Sequence, residues 1–334
     1  MLWGHCIQYC YPQNLDFFED MTFKTIYSFH MPLFMLISGY LFYSSSQKYS
    51  FKSLLNKKVS SLLQPIIMGG IFEYILTTVL FAVIGGERML VLSSLKRLLN
   101  KITGLWFLWS VLAATIIMCL VKKTDKNSVL KWIILLLGLF VVALFPNRWM
   151  NVYMYPYFVI GYFTAKYKDI LKRFDKLKYL SVIAFPLLMM FYEKKHFIYT
   201  SGMLGGSMLA DSLIIDGYRW LVGLVGCIFS VTAIQLLIKI PFIQNIFYKV
   251  IPLGKKSLQI YVVSVVFLSA YLPKMMAVIS KFGAFEKFYQ TINVNILVYD
   301  CVFMALLAIM YAIALYWIVT LMEKIKLSKI VFGR

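Results

Sequence analysis

The chain has 334 residues, 61% of them hydrophobic, with 34 Lys and Arg against 14 Asp and Glu for a formal net charge of +20. A soluble globular domain is nearer half apolar, so this composition excludes a soluble fold and indicates a polytopic membrane protein. The basic residues fall between long apolar runs, which argues against a nucleic-acid partner and assigns them to loops beside anionic lipid.

The N-terminus, "MLWGHCIQYC", lacks the basic start and apolar core of a cleavable signal. Nine full membrane-spanning helices are then predicted, at 25–44, 62–85, 105–121, 131–146, 149–165, 178–192, 219–238, 257–279 and 294–322. Each is near the ~20 residues that cross the hydrocarbon core, except 178–192, which is expected to extend beyond these limits. The fold class is therefore all-α, as a single membrane domain over 1–330 with a basic loop at 45–61 and a tail at 323–334.

Basic residues cluster after every second span, at Lys48 to Lys58, Lys122 to Lys131, Lys166 to Lys178, Lys239 to Lys256 and Lys324 to Arg334. That alternation places these loops and the C-terminus in the cytoplasm. An odd number of spans leaves Met1 outside. One expectation is a tenth helix, mostly missing, of which residues 1–8 are the remnant. The other is a nine-span protein whose short N-terminus is translocated.

His5 then lies near an outer helix end, and His30 lies one to two turns into the next span from the same side. The two imidazoles are expected to face one cavity below the outer surface. An ionisable group inside a span is costly and marks a functional candidate, although an interfacial histidine bonded to a backbone carbonyl is the plain alternative. Pro32 is expected to limit the helix and to release carbonyls beside His30. Ser38 and Gly39 read as small residues that allow close helix approach.

Glu73 sits near the middle of the second span and carries the strongest signal of the other intramembrane charges, either as a functional group or as a residue that is protonated or bonded to a neighbouring helix. Trp106, in "GLWFLWS", opens the third span from outside. An interfacial aromatic belt explains it by default, and a stacking surface for sugars is the alternative. The stretch "YMYPYFVIGY" at 153–162 has the same ambiguity. Arg219 opens the 219–238 span near Asp211 and Asp216, and Asp300 lies near the outer end of the last span. His196, beside Lys194 and Lys195 in an outer loop, is given no role. The five cysteines, at 6, 10, 119, 227 and 301, show neither metal-ligand spacing nor a disulfide framework.

"FHMPLFMLISGYLF" at 29–42, preceded by "WGHC" at 3–6, resembles the hallmark of the acyltransferase-3 family of integral membrane acyltransferases. "FKSLLNKKVSSLLQP" at 51–65, "LWFL" at 105–108, "YPYFVIGYFTAKY" at 155–167 and "PLGKKSLQIYVVS" at 252–264 resemble its later motifs in order. The resemblance implies a ten-helix protein of the bacterial cytoplasmic membrane with both ends cytoplasmic. It also implies transfer of an acyl group, commonly acetyl, from cytoplasmic acyl-CoA to carbohydrate hydroxyls of capsule, exopolysaccharide, O-antigen or peptidoglycan. No bound cofactor is implied, acetyl-CoA being a substrate, and a polysaccharide or lipid-linked glycan is the expected acceptor. The catalytic role maps to His5, with His30 as its partner. Lys57 and Lys58 are candidates for the CoA phosphates, against a purely topological role, and Trp106, Arg219 and Glu73 are substrate-binding candidates. Two departures stand out. The family's arginine, about eleven positions before that histidine and so three helical turns back, has no counterpart. Ser264 stands where some members carry a second histidine. A polysaccharide exporter and an inactive relative are the alternatives to an active enzyme.

Overall fold

The computed structural model describes residues 1–10, 16–83, 91–124, 128–270 and 298–333, and among these every regular element is helical. Five helices are long and apolar enough to cross a membrane: Met21–Lys48, Phe51–Val79, Trp106–Lys123, Leu209–Leu237 and Tyr299–Lys324. They coincide with the first, second, third, seventh and ninth predicted spans.

The other predicted spans are helical but shorter or more polar. The fourth is a helix over Ser128–Val142, whose 15 residues rise about 22 Å, short of a full crossing. The fifth, Arg148–Lys166, carries Asn151 and several tyrosines on its packed face. The sixth does extend, but backwards: a helical run begins at Lys168, tightens to 3₁₀ over Lys172–Leu180 and ends as Ser181–Met189. The eighth begins at Ser257–Ala270; its remainder, and the first residues of the ninth, lie outside the described residues.

We number the helices α1 Leu2–Cys10, α2 Met21–Lys48, α3 Phe51–Val83, α4 Val91–Gly104, α5 Trp106–Lys123, α6 Ser128–Val142, α7 Arg148–Lys166, α8 Ser181–Met189, α9 Leu209–Leu237, α10 Pro241–Lys255, α11 Ser257–Ala270 and α12 Ala305–Lys324. Two compact units emerge. One comprises Met1–Ile26, Ile67–Ile102 and Asn245–Arg334, and the other Tyr27–Ile66 and Thr103–Gln244.

In the first unit α1 packs against α11 and α12. Trp3 Nε1 donates to the Asp300 carbonyl at 2.7 Å, and Tyr299 Oη donates to the Cys10 carbonyl at 2.7 Å. Asp300 is fully buried, with its carboxyl group beside that of Asp20. α2 starts here on a side-chain cap, Asp20 Oδ1 accepting the Phe23 N–H at 2.6 Å.

In the second unit α2, α5, α6 and α7 share one apolar core built from residues such as Met35, Phe42, Leu135, Met118 and Phe158. α2 runs straight through Pro32, so the expected limit on the helix does not appear. Proline removes one helical donor, and in a membrane helix neighbouring groups make up the loss. The carbonyl that Pro32 leaves without its helical donor is that of Ser28; the next one, Phe29, meets Cys227 Sγ of α9 at 3.8 Å. α2 and α7 cross backbone to backbone. A Cβ on Gly39 would strike the Phe158 carbonyl, and one on Gly161 would strike the Leu36 carbonyl.

The tyrosines of 153–162 form neither a belt nor an open platform: Tyr153, Tyr155, Tyr157 and Tyr162 are all buried. Their hydroxyls serve helix contacts, Tyr155 donating to the Leu135 carbonyl at 3.2 Å and Tyr157 to the Trp220 carbonyl at 3.2 Å. A buried phenol needs an acceptor, and carbonyls of neighbouring helices supply it. Asn151 does similar work. Its Nδ2 reaches the Val142 and Pro146 carbonyls at 3.1 and 2.8 Å, closing the α6–α7 turn, and its Oδ1 accepts from Ser110 Oγ at 2.6 Å.

Candidate active site

His30 lies on α2 in the second unit, 7% exposed. Tyr27, one turn earlier on the same face, meets its ring edge-on with centroids 4.7 Å apart. Tyr27 in turn meets Tyr199 at 6.1 Å, and Tyr199 meets Trp106 of α5 at 6.2 Å. Two sequence candidates, His30 and Trp106, are thus joined through two tyrosines that the sequence reading did not single out. Tyr27 was legible from its spacing to His30. Tyr199 was not, because it sits in the segment between α8 and α9, whose course is set by tertiary contacts.

Those contacts converge on Arg219. Its guanidinium is 1% exposed and pairs with Asp216 at 2.9 Å, one turn back on α9. It also donates to the Gly202 carbonyl at 2.6 Å, the Lys195 carbonyl at 3.1 Å and Ser201 Oγ at 2.5 Å. Asp216 Oδ2 accepts the Leu204 N–H at 3.0 Å. A planar cation with several fixed donors suits this clamp better than an ammonium would. Arg219 therefore holds the backbone on either side of Tyr199.

His5 lies on α1 in the first unit. Its Nδ1 is 3.1 Å from Gln8 Oε1, one turn on, and its ring stacks on Tyr9 with centroids 6.0 Å apart. A carbonyl oxygen only accepts, so this contact puts the proton on Nδ1 and the lone pair on Nε2. Glu73, 4% exposed on α3, accepts from Lys101 Nζ of α4 at 2.7 Å.

A family model for the acyltransferase domain of acyltransferase-3 type matches residues 1–329. The chain belongs to the acyltransferase-3 family. Among curated relatives it is similar to the nodulation protein NolL of Sinorhizobium fredii (strain NBRC 101917 / NGR234), 34% identical over 170 residues, which is 49% of this chain and 44% of that protein. It is also similar to the nodulation protein NolL of Mesorhizobium japonicum (strain LMG 29417 / CECT 9101 / MAFF 303099), 30% identical over 168 residues, 49% of this chain and 43% of that one. The matched stretch spans less than half the length of these relatives. No solved structure gives a significant match.

In this acyltransferase-3 chain the basic segment after α2 is tied down at several points. Lys57 Nζ donates to Tyr49 Oη at 2.7 Å and lies over the same ring, 4.3 Å from its centroid. That ammonium, with Lys48 and Lys58 nearby, holds the Tyr49 phenol below its ordinary range. Lys122 at the end of α5 donates to the Tyr49 carbonyl at 2.6 Å and to the Ser46 carbonyl, capping the C-terminal turn of α2. Lys57 and Lys58 lie within the first turns of α3, which starts at Phe51. All five cysteines are thiols, Cys301 alone being exposed.

Proposed function

We propose that this chain is a membrane O-acyltransferase of the bacterial cytoplasmic membrane. It moves an acetyl or other acyl group from cytoplasmic acyl-CoA to a hydroxyl of a surface polysaccharide or its lipid-linked precursor. The observation that carries the reading is a buried intramembrane histidine, His30, at the end of an aromatic series that runs through Tyr27 and Tyr199 to Trp106, in an acyltransferase-3 chain. The arrangement of spans that goes with it has nine full helices plus α1 as part of a tenth, and a cytoplasmic C-terminus.

An alcohol is a weak nucleophile until a base takes its proton, and histidine does this near neutral pH. His5 serves as that base. Gln8 fixes its Nδ1–H, and Nε2 takes the hydroxyl proton of the acceptor. The hydroxyl oxygen then bonds to the thioester carbonyl carbon, and the carbon–sulfur bond breaks. The departing CoA thiolate recovers the proton from His5. His30 orients the acceptor or stabilises the oxyanion, and Trp106 gives the sugar an aromatic face. Lys57 and Lys58 bind the CoA phosphates as point charges. Arg219 acts through the backbone around Tyr199, and Glu73 through its pair with Lys101.

The test is acyl transfer by His5→Ala in cells, read by mass spectrometry of the surface glycan. Loss of the acyl increment with membrane insertion intact is expected, a fall of roughly 10²–10⁴-fold for a missing general base. Acylation at the wild-type level in that variant removes His5 from the reaction.

A further inference from the structure

The segment that presents Tyr199 on one side carries His196 on another, at a cavity of about 510 Å³ between the α8–α9 connection and the start of α9. That volume falls within the range of small-molecule sites. His196 lines it at 7% exposure, packed between Tyr192 and Tyr218, with ring centroids 5.5 and 4.6 Å away. The Glu193 backbone N–H donates to His196 Nδ1 at 2.9 Å. The neutral ring therefore carries its proton on Nε2. A ring N–H of fixed tautomer in a cavity lining is a donor that a ligand can use.

The rest of the lining narrows the ligand. Glu193 and Asp211 bring two carboxylates, which disfavour an anion. The Lys195 ammonium is paired with Glu193 at 2.8 Å, which leaves Asp211 as the uncompensated charge of the lining. A metal ion is disfavoured as well, since the one ring nitrogen with a lone pair is already engaged by backbone. Asp211 holds Ser207 Oγ through Oδ2 at 2.7 Å, which leaves its second oxygen for a donor. Phe191, 69% exposed, adds an apolar face at the rim. A ligand that accepts from one N–H, donates to carboxylates and lies against rings is a neutral polyhydroxyl compound.

We infer that this cavity is a binding subsite for a neutral sugar unit of the acceptor glycan. The inference rests on the acyltransferase reading for what the sugar is for, and on the cavity alone for the binding. His196 and Tyr199 are three residues apart, so a glycan held at one lies across the connection that carries the other. Burial keeps the His196 ring neutral across the physiological range, as a donor of fixed tautomer requires.

The experiment uses the full chain in lipid nanodiscs, titrated with cellobiose, maltose and chitobiose and followed by saturation-transfer difference NMR. Glucuronate and inorganic phosphate serve as anionic controls. At least one neutral disaccharide is expected to bind and the anions are not. Ser207→Trp, which fills the mouth from an exposed position, and Asp211→Asn should each weaken binding at least tenfold. His196→Phe should do the same. Because His196 is buried, the two rim variants decide the matter if it fails to fold. No binding of any of the three disaccharides, or undiminished binding by Ser207→Trp, overturns the subsite. CoA release from acetyl-CoA in the same sample reads the other claim. Sugar binding without CoA release sinks the acyltransferase reading and leaves the subsite standing.

Discussion

Arg219 is a cation sealed inside a segment that sequence reading placed at a span's mouth, and its partners are one carboxylate and three oxygens of a connecting segment. Removing one half of a buried pair leaves the other half uncompensated, at a cost of about 3–5 kcal/mol. Arg219→Met is therefore expected to lower the unfolding temperature of the purified protein markedly, and Arg219→Lys to recover only part, since an ammonium cannot span the same acceptors. His196 gives a pH signature. It lies outside the membrane-spanning helices, and burial, then the adjacent Lys195, lower its imidazole to about 4. The unfolded chain takes up this proton near the ordinary value of about 6.5, whereas the folded protein resists until about 4. Folding stability from this group is thus complete above about 6.5 and falls as pH drops through that window. His196→Gln should flatten the dependence, measured as unfolding midpoint against pH. Equal slopes for wild type and variant would contradict it. The sequence showed that Arg219 was an unusual charge. It did not show the segment that the charge holds, because those acceptors are mostly backbone atoms that no residue pattern encodes.

At the scale of helices, the Gly39–Gly161 crossing fixes how closely α2 and α7 approach. Gly39→Leu forces a side chain onto the Phe158 carbonyl and should destabilise by about 3 kcal/mol or more. The neighbouring Ser38→Ala is a control: its hydroxyl bonds only the Phe34 carbonyl in its own helix, so the change should stay within about 0.5 kcal/mol. Yield of monodisperse protein after extraction separates the two. The small-residue reading of this stretch was legible because glycine has few reasons to sit inside a long apolar helix. The tyrosines of α7 were not, since an interfacial belt and a ladder of buried phenols have the same composition. Only the positions of the Leu135 and Trp220 carbonyls distinguish them. The backward extension of α8 was also hidden, because the residues that form it, from Lys168 to Leu180, are strongly charged and read as loop.

Over the whole molecule, apolar runs were enough to identify an all-helical membrane protein, and five of them form helices of crossing length. Orientation rests on the lysine-rich loops. A fluorescent protein fused after Arg334 should therefore light up, and alkaline phosphatase at the same place should stay inactive; the reverse pair would invert the topology. The identity of the chain was legible in its first motif, and the family match over residues 1–329 agrees with it. The aromatic series from His30 to Trp106 was only half legible, since Tyr199 joins it from a distant stretch of chain. Two of the three oxygens outside α9 that Arg219 grips are main-chain carbonyls, which every amino acid supplies. Apart from Ser201, whose hydroxyl is the third oxygen, a mooring of that kind is indifferent to side chains, so a residue such as Tyr199 can change over evolution without the segment coming loose. New glycan preferences would then arise by exchanging a short cassette, with the catalytic helices left as they are.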